Sequence, residues 1–144
     1  QKVDAQKFEL GDLPESLILK SVYEYDSSIF VDISKKIIAP SNKFLFIVPE
    51  YNGSIPGILK LFIDGIEPKF FKGKKAALVG VSAGRAGNLR GMDHLTDILH
   101  YLQVEVMAAK LPISKIFELV ENKTIIDEQT LGDLDKQLLK FIEY

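Results

Sequence analysis

Two short, unbroken apolar runs, each opening into a glycine-containing polar turn and then into a segment of helical period, constrain this chain more than any other feature. The first run is Phe44-Leu45-Phe46-Ile47-Val48. Pro49 ends it, Glu50-Tyr51-Asn52-Gly53-Ser54-Ile55-Pro56-Gly57 follows, and Ile58, Leu59, Phe62, Ile63 and Ile66 then recur at helical spacing. The second run is Ala76-Ala77-Leu78-Val79-Gly80-Val81, opened by Lys74-Lys75 and followed by Ser82-Ala83-Gly84-Arg85-Ala86-Gly87 and by Leu89, Met92, Leu95, Leu99 and Leu102. A strand without polar alternation belongs in a sheet covered on both faces. Strands separated by helices pair in parallel, so the pattern predicts an α/β fold with a parallel sheet. In such sheets ligands sit outside the carboxyl ends of the strands, where turn N–H groups are free. Both turns are therefore candidate sites, and their glycines let a planar ligand approach the backbone.

The rest of the chain continues the alternation without a linker or an internal repeat. Phe30, Ile33, Ile37 and Ile38 predict a helix ending near Ala39-Pro40, and Val104-Glu105-Val106-Met107-Ala108-Ala109 predicts a further strand. Leu131, Leu134, Leu138, Leu139 and Ile142 predict a closing amphipathic helix with Asp133 and Asp135 early and Lys140 late, as a helix dipole favours. Residues 13–28 show no clear period and read as mixed loop. With 144 residues, 47% of them hydrophobic, the chain suits a single domain over 1–144 with a sizeable core.

Composition narrows the chemistry. The chain has no cysteine, which excludes disulfides, thiolate–zinc sites and cysteine redox chemistry, so electron transfer would need a bound cofactor. A net charge of -2 gives no general basic surface for nucleic acid. No run approaches the roughly 20 apolar residues of a membrane span and no signal-peptide pattern is present, which points to the cytoplasm. His94 and His100 are six apart, off a common helical face, and do not read as a metal pair. Lys60 and Asp64 read as a surface pair at i and i+4. Lys69, Lys72, Lys74 and Lys75 read as a solvated loop rather than a dinucleotide site. Glu50 has no second carboxylate nearby to make an acid–base dyad. Read alone, Asn52-Gly53 is a tight turn, Ser54 a helix N-cap and Arg85 a surface cation.

The string from Pro49 to Lys60, with Gly73-Lys74 opening the strand that ends in Ser82-Ala83-Gly84-Arg85, resembles the NADPH-dependent FMN reductases of flavodoxin-like fold, a family that includes quinone, chromate and azo-dye reductases. The resemblance is dense over residues 43–109. It implies a three-layer α/β sandwich with strand order 2-1-3-4-5, and it places Pro49, Glu50, Tyr51, Asn52 and Gly53 around the isoalloxazine ring of FMN, with Ser82, Ala83, Gly84 and Arg85 on the ring's other side. It implies an enzyme in which NADPH or NADH gives hydride to FMN and a quinone, flavin or similar small acceptor takes it, with no catalytic side chain. A homodimer or a tetramer of dimers is implied as well, with no nucleic acid and no membrane. Lys2-Val3-Asp4-Ala5-Gln6-Lys7-Phe8-Glu9-Leu10 resembles the family's second strand, so the first strand, its phosphate loop and the first helix are expected outside this chain. Two other readings stay open: an FMN-binding electron carrier, which the near-neutral charge disfavours, and a non-catalytic remnant that has lost the flavin.

Overall fold

The structure is a computed structural model that describes residues 3–14 and 28–144. The mixed loop expected over residues 13–28 lies almost wholly outside the described residues. The chain divides into two compact units, one drawn from Gln1–Asn42 and Gly57–Phe71, the other from Lys43–Pro56 and Lys72–Tyr144.

In the first unit α1 (Ser28–Ile33) runs on as a π-helical turn, Ser34–Ile38. The wide turn is closed by the Ala39 N–H on the Ser34 carbonyl at 2.7 Å, and Ser41 Oγ donates to the Ile37 carbonyl at 2.7 Å. The helix ends at Ala39, which is itself still helical at φ -58 and ψ -47; Pro40 has no N–H with which to continue the ladder. α2 (Gly57–Asp64) begins directly after Pro56 and buries Leu59, Phe62 and Ile63. The Phe62 ring meets Phe8 at 5.5 Å and Phe30 at 6.4 Å between centroids. Gly65 follows the helix because a Cβ there would stand 2.4 Å from the Phe30 ring. Lys60 Nζ bonds Asp64 at 2.7 Å, the surface pair read from the spacing.

The expected strand ahead of Leu10 does not form. Residues 3–9 carry no strand, and Leu10–Asp12 is a short 3₁₀ turn. A strand exists through its ladder, and among the described residues none pairs with this segment; its attachment is the Phe8 ring against Phe62.

The second unit is built on β1 (Lys43–Pro49) and β2 (Lys75–Val81), paired in parallel from Lys43↔Lys75 to Pro49↔Val81. The far edge of β2 is shared by two short strands, β3 (Glu105–Val106) against its start and β4 (Leu111–Ile113) against its end. The strand expected over residues 104–109 is thus shorter than its apolar run, with Met107 N–H still donating to the Ala76 carbonyl at 2.8 Å before the chain leaves the ladder. The order β1-β2-β3 is the 3-4-5 portion of the order the resemblance implies.

Side chains alternate across a strand. Ala77 points to Met107 and Phe141, on the closing helix α5 (Glu128–Glu143), whereas Gly80 points to Met92 on α3 (Leu89–Tyr101). The two helices therefore cover opposite faces, and Ala76, Ala77, Leu78 and Val79 are sealed from water. That burial is what the polar-free sequence of β2 anticipates, whereas the equally apolar β1 leaves Leu45 and Ile47 exposed and is not covered on both faces among the described residues.

Between β4 and α5 lie α4 (Ile116–Leu119) and an antiparallel pair, β5 (Val120–Glu121) with β6 (Thr124–Ile125). The connection uses Asn122 and Lys123 at φ 47 and 64. α5 starts on Asp127, whose carboxylate accepts the Thr130 N–H at 2.8 Å; the Thr130 hydroxyl, and then this N–H, hold the Asp127 carboxyl below its ordinary range. At the other end Lys43 Nζ donates to the Phe141 and Ile142 carbonyls at 3.0 and 2.8 Å, and Lys75 Nζ to the Tyr144 carbonyl. Two cations thus sit at the negative end of the helix dipole.

Candidate functional site

The register of β1 and β2 sets the site. Pro49 lies opposite Val81, and the Glu50 N–H donates to the Val81 carbonyl at 2.7 Å, so the two turns leave the sheet side by side from neighbouring strands.

The first turn is a hairpin in miniature. Tyr51 and Ser54 exchange both backbone hydrogen bonds, at 3.0 and 3.1 Å, around Asn52 at φ 53 and Gly53 at φ 76. Positive φ at both central residues is the type I′ geometry that Asn-Gly favours, since asparagine tolerates the left-handed region and glycine has no Cβ to clash. The tight turn and the candidate site are therefore the same residues. Tyr51 is 61% exposed and Asn52 is exposed, so the ring and the amide face outward. The helix expected from Ser54 starts later, at Gly57.

Side chains of α3 reach this turn. The Arg90 guanidinium lies 3.7 Å from Glu50 Oε1, and its Nη2 is 3.3 Å from where a Cβ on Gly53 would stand. One helical turn later, His94 Nδ1 is 2.8 Å from Ser54 Oγ. A serine–histidine pair is a nucleophile and base only when a third group orients the base. Among the described residues no carboxylate bonds the other ring nitrogen of His94, and the pair reads as a support for the turn.

The second turn is held from elsewhere. Ser82 is buried; its hydroxyl donates to the Gly84 carbonyl and accepts the Gly87 N–H, both at 2.9 Å. The segment after β4 supplies the remainder. Ser82 N–H donates to the Ile113 carbonyl at 2.9 Å, Ile116 N–H to the Ser82 carbonyl at 3.0 Å, Lys115 N–H to the Gly84 carbonyl at 2.9 Å, and Ser114 Oγ to the Arg85 carbonyl at 2.6 Å. Ala83, Gly84 and Arg85 are left exposed, and no atom lies within 4 Å of where a Cβ on Gly84 would be. At the base of the turn there is no room. A Cβ on Gly87, at φ 56, would stand 2.5 Å from Pro112 Cβ, and one on Gly80 would stand 2.3 Å from the Gly87 carbonyl oxygen.

Of the nine residues singled out in the sequence, Pro49 closes β1 and the other eight lie on two adjacent turns, with Tyr51, Asn52, Ala83, Gly84 and Arg85 open and Ser82 turned inward. Sequence reasoning missed Asn88, Arg90, His94 and Ser114. The first of these carried a partial signal, an asparagine directly after Gly87, since asparagine is one of the few residues other than glycine that take a left-handed backbone. The others act through contacts that no spacing reveals. Of the lysines between 69 and 75, Lys69 pairs with Glu67 at 2.6 Å, and Lys75 bonds the end of α5. Among the described residues no group of three or more His, Asp or Glu is arranged to hold a metal, and no helix is long and apolar enough to cross a membrane.

The family model described as NADPH-dependent FMN reductase matches residues 1–118. The NAD(P)H-dependent FMN reductase of Pseudomonas aeruginosa is 37% identical over 100 residues, 67% of this chain and 54% of that protein. The quinone reductase of Escherichia coli is 32% identical over 116 residues, 74% of this chain and 60% of that protein. The chain spans about half the length of the first of these curated relatives and somewhat more of the second. Among solved structures, the flavoenzyme NAD(P)H:(acceptor) oxidoreductase FerB of Paracoccus denitrificans superposes with a TM-score of 0.76 at 27% identity, covering 94% of this chain and 76% of that one.

Proposed function

Since the chain belongs to the NADPH-dependent FMN reductase family and has its flavodoxin-like α/β fold, we propose that it is an FMN-dependent NAD(P)H oxidoreductase, passing hydride from NADPH or NADH through bound FMN to a quinone, a flavin or a similar small acceptor. The observation that carries this reading is the pairing of Pro49 with Val81, which starts two open, glycine-bearing turns at one level of the sheet, a strand spacing of about 5 Å apart. Such a pair of backbone edges suits a flat, polar-rimmed ring. The residues present fit the group: the open space above Gly84 and the outward Tyr51 ring and Asn52 amide leave the approach clear.

FMN, when bound, supplies the redox chemistry, taking hydride from a nicotinamide and passing it to the acceptor. The protein's part is to bind and orient. In this reading Glu50, Tyr51, Asn52 and Gly53 hold one side of the ring system, Tyr51 through its apolar face and Asn52 through its amide. Ala83, Gly84 and Arg85 present backbone and charge on the other, and Ser82 keeps that backbone in shape. Pro49 ends the strand and starts the turn. No side chain has to attack or to carry a proton pair. The domain as a whole is read as one flavodoxin-like FMN-binding reductase domain, cytoplasmic, acting on a small-molecule acceptor and assembling as a homodimer or tetramer.

Stopped-flow mixing of the flavin-loaded protein with NADPH tests the proposal. Rapid two-electron bleaching of the flavin, reversed by a quinone, is expected. A bound flavin that ignores NADPH overturns the reductase in favour of an electron carrier, and a protein that takes up no FMN overturns both. Full activity should survive thiol-alkylating reagents, because the chain has no cysteine to modify.

A further inference from the structure

Asn88 is the one buried polar side chain among the described residues with an atom that finds no hydrogen-bond partner. It is 0% exposed, its backbone is left-handed at φ 62 and ψ 32, and it stands directly before α3, immediately after the glycine that ends the second turn. Its Nδ2 donates to the Val48 carbonyl at 2.9 Å, the last carbonyl of β1 before Pro49 and the first turn. Its Oδ1 has no partner and lies against Gly91, where a Cβ would stand 2.1 Å from that oxygen. Glycine at position 88 would carry neither the left-handed backbone cost nor the orphaned oxygen. What it would lose is the link to Val48. A residue kept at two energetic costs points to the one interaction that only it makes.

We infer that Asn88 is a positioning residue that locks the exit of β1 to the start of α3, and so fixes the first turn relative to the second. Arg90 and His94 extend the same helix onto Glu50, Gly53 and Ser54, so α3 grips the first turn at its base from Asn88 and along its flank from the two residues beyond. The inner tie is dry and directional, with both partners inside the protein. The outer ones are exposed to water and correspondingly weak. A shift at the base of α3 would therefore reach the first turn through Asn88.

The test uses two variants of the full chain. Asn88→Gly keeps the left-handed backbone and removes the link. Asn88→Asp keeps the shape but turns an oxygen toward the Val48 carbonyl. Backbone amide exchange, read without any ligand, is expected to quicken about tenfold at Tyr51 and Ser54 in both variants while Leu78 and Val79 keep their rates. The ligand arm rests on the FMN reading: FMN titration should show binding weakened about tenfold in Asn88→Gly and further in Asn88→Asp, with a displaced flavin absorption maximum. A residue that only filled space would instead make affinity follow melting temperature, with the smaller glycine the worse of the two. Unchanged exchange at Tyr51 and Ser54 overturns the inference, as does acceleration spread evenly into β2. If the unaltered protein binds no FMN, the functional reading fails and the exchange arm alone decides on Asn88. Should Asn88→Asp fail to fold, Asn88→Gly carries both arms.

Discussion

Between Tyr51 and Ser54 the first turn makes both of its backbone bonds to itself, and its two central residues are an asparagine and a glycine that need nothing else to adopt the shape. Around residues 82–87 the second turn makes four of its bonds to a segment about thirty residues further along, at 113–116, and rests on two glycines jammed against Pro112 and against each other. One turn is shaped locally and leaves its side chains outward. The other is shaped by the rest of the unit and leaves chiefly backbone outward. The difference suggests a division of labour in which changes to the first turn are felt by a ligand and changes to the second by the fold.

The sharpest way to break that comparison is Gly87→Ala. A methyl group must enter a space bounded at 2.5 Å by Pro112, on a left-handed backbone, and the expected loss is roughly 3 kcal/mol of folding stability in a denaturant titration. A variant as stable as the parent would mean that the second turn yields more easily than its packing implies. Gly53→Val should cost less, about 1 to 2 kcal/mol for a branched residue forced to positive φ, because its nearest neighbour is the movable end of Arg90. FMN binding, followed by flavin fluorescence, should nevertheless fall further in this variant than its stability does.

Asn52→Gly sharpens the comparison by keeping the turn geometry while deleting the amide. About 1 kcal/mol of FMN affinity, roughly a fivefold change in Kd, should disappear with the melting temperature held. An affinity equal to that of the parent would remove Asn52 from the ring contacts. Ser114→Ala is the mildest, taking away the bond to the Arg85 carbonyl in an exposed setting; about 0.5 to 1 kcal/mol of stability should go, and FMN affinity should change little.

The same local and distant division decides what could be read from the residues alone. Asn52-Gly53 announces its turn because the I′ preference is intrinsic to the pair. The β5–β6 connection also has positive φ at both central residues, Asn122 and Lys123, but without a glycine it gave no such signal. β4 was missed because Pro112 within an apolar run argues against a strand, yet it lies on an edge where one absent N–H is harmless. β3 was overextended because apolar character outlasts its ladder. Residues 3–9 pair with no strand among the described residues, a property of the neighbours rather than of the segment. The positions of the two turns, at the ends of neighbouring strands, were legible, whereas Ser114 and His94 are brought there only by tertiary folding, from 29 and 40 positions away from Arg85 and Ser54.

The in-step pairing of β1 with β2 also limits how genes of this kind can change length. Deleting one codon within Lys43–Pro49 would exchange the faces of every side chain upstream of the deletion, taking Lys43 away from the end of α5, or else would draw the first turn about 3 Å down the sheet and out of line with the second. Insertions between residues 121 and 124 would meet no such penalty, since that connection is surface hairpin. Length variation in the lineage should therefore collect in connections such as this one and leave both strands at seven residues.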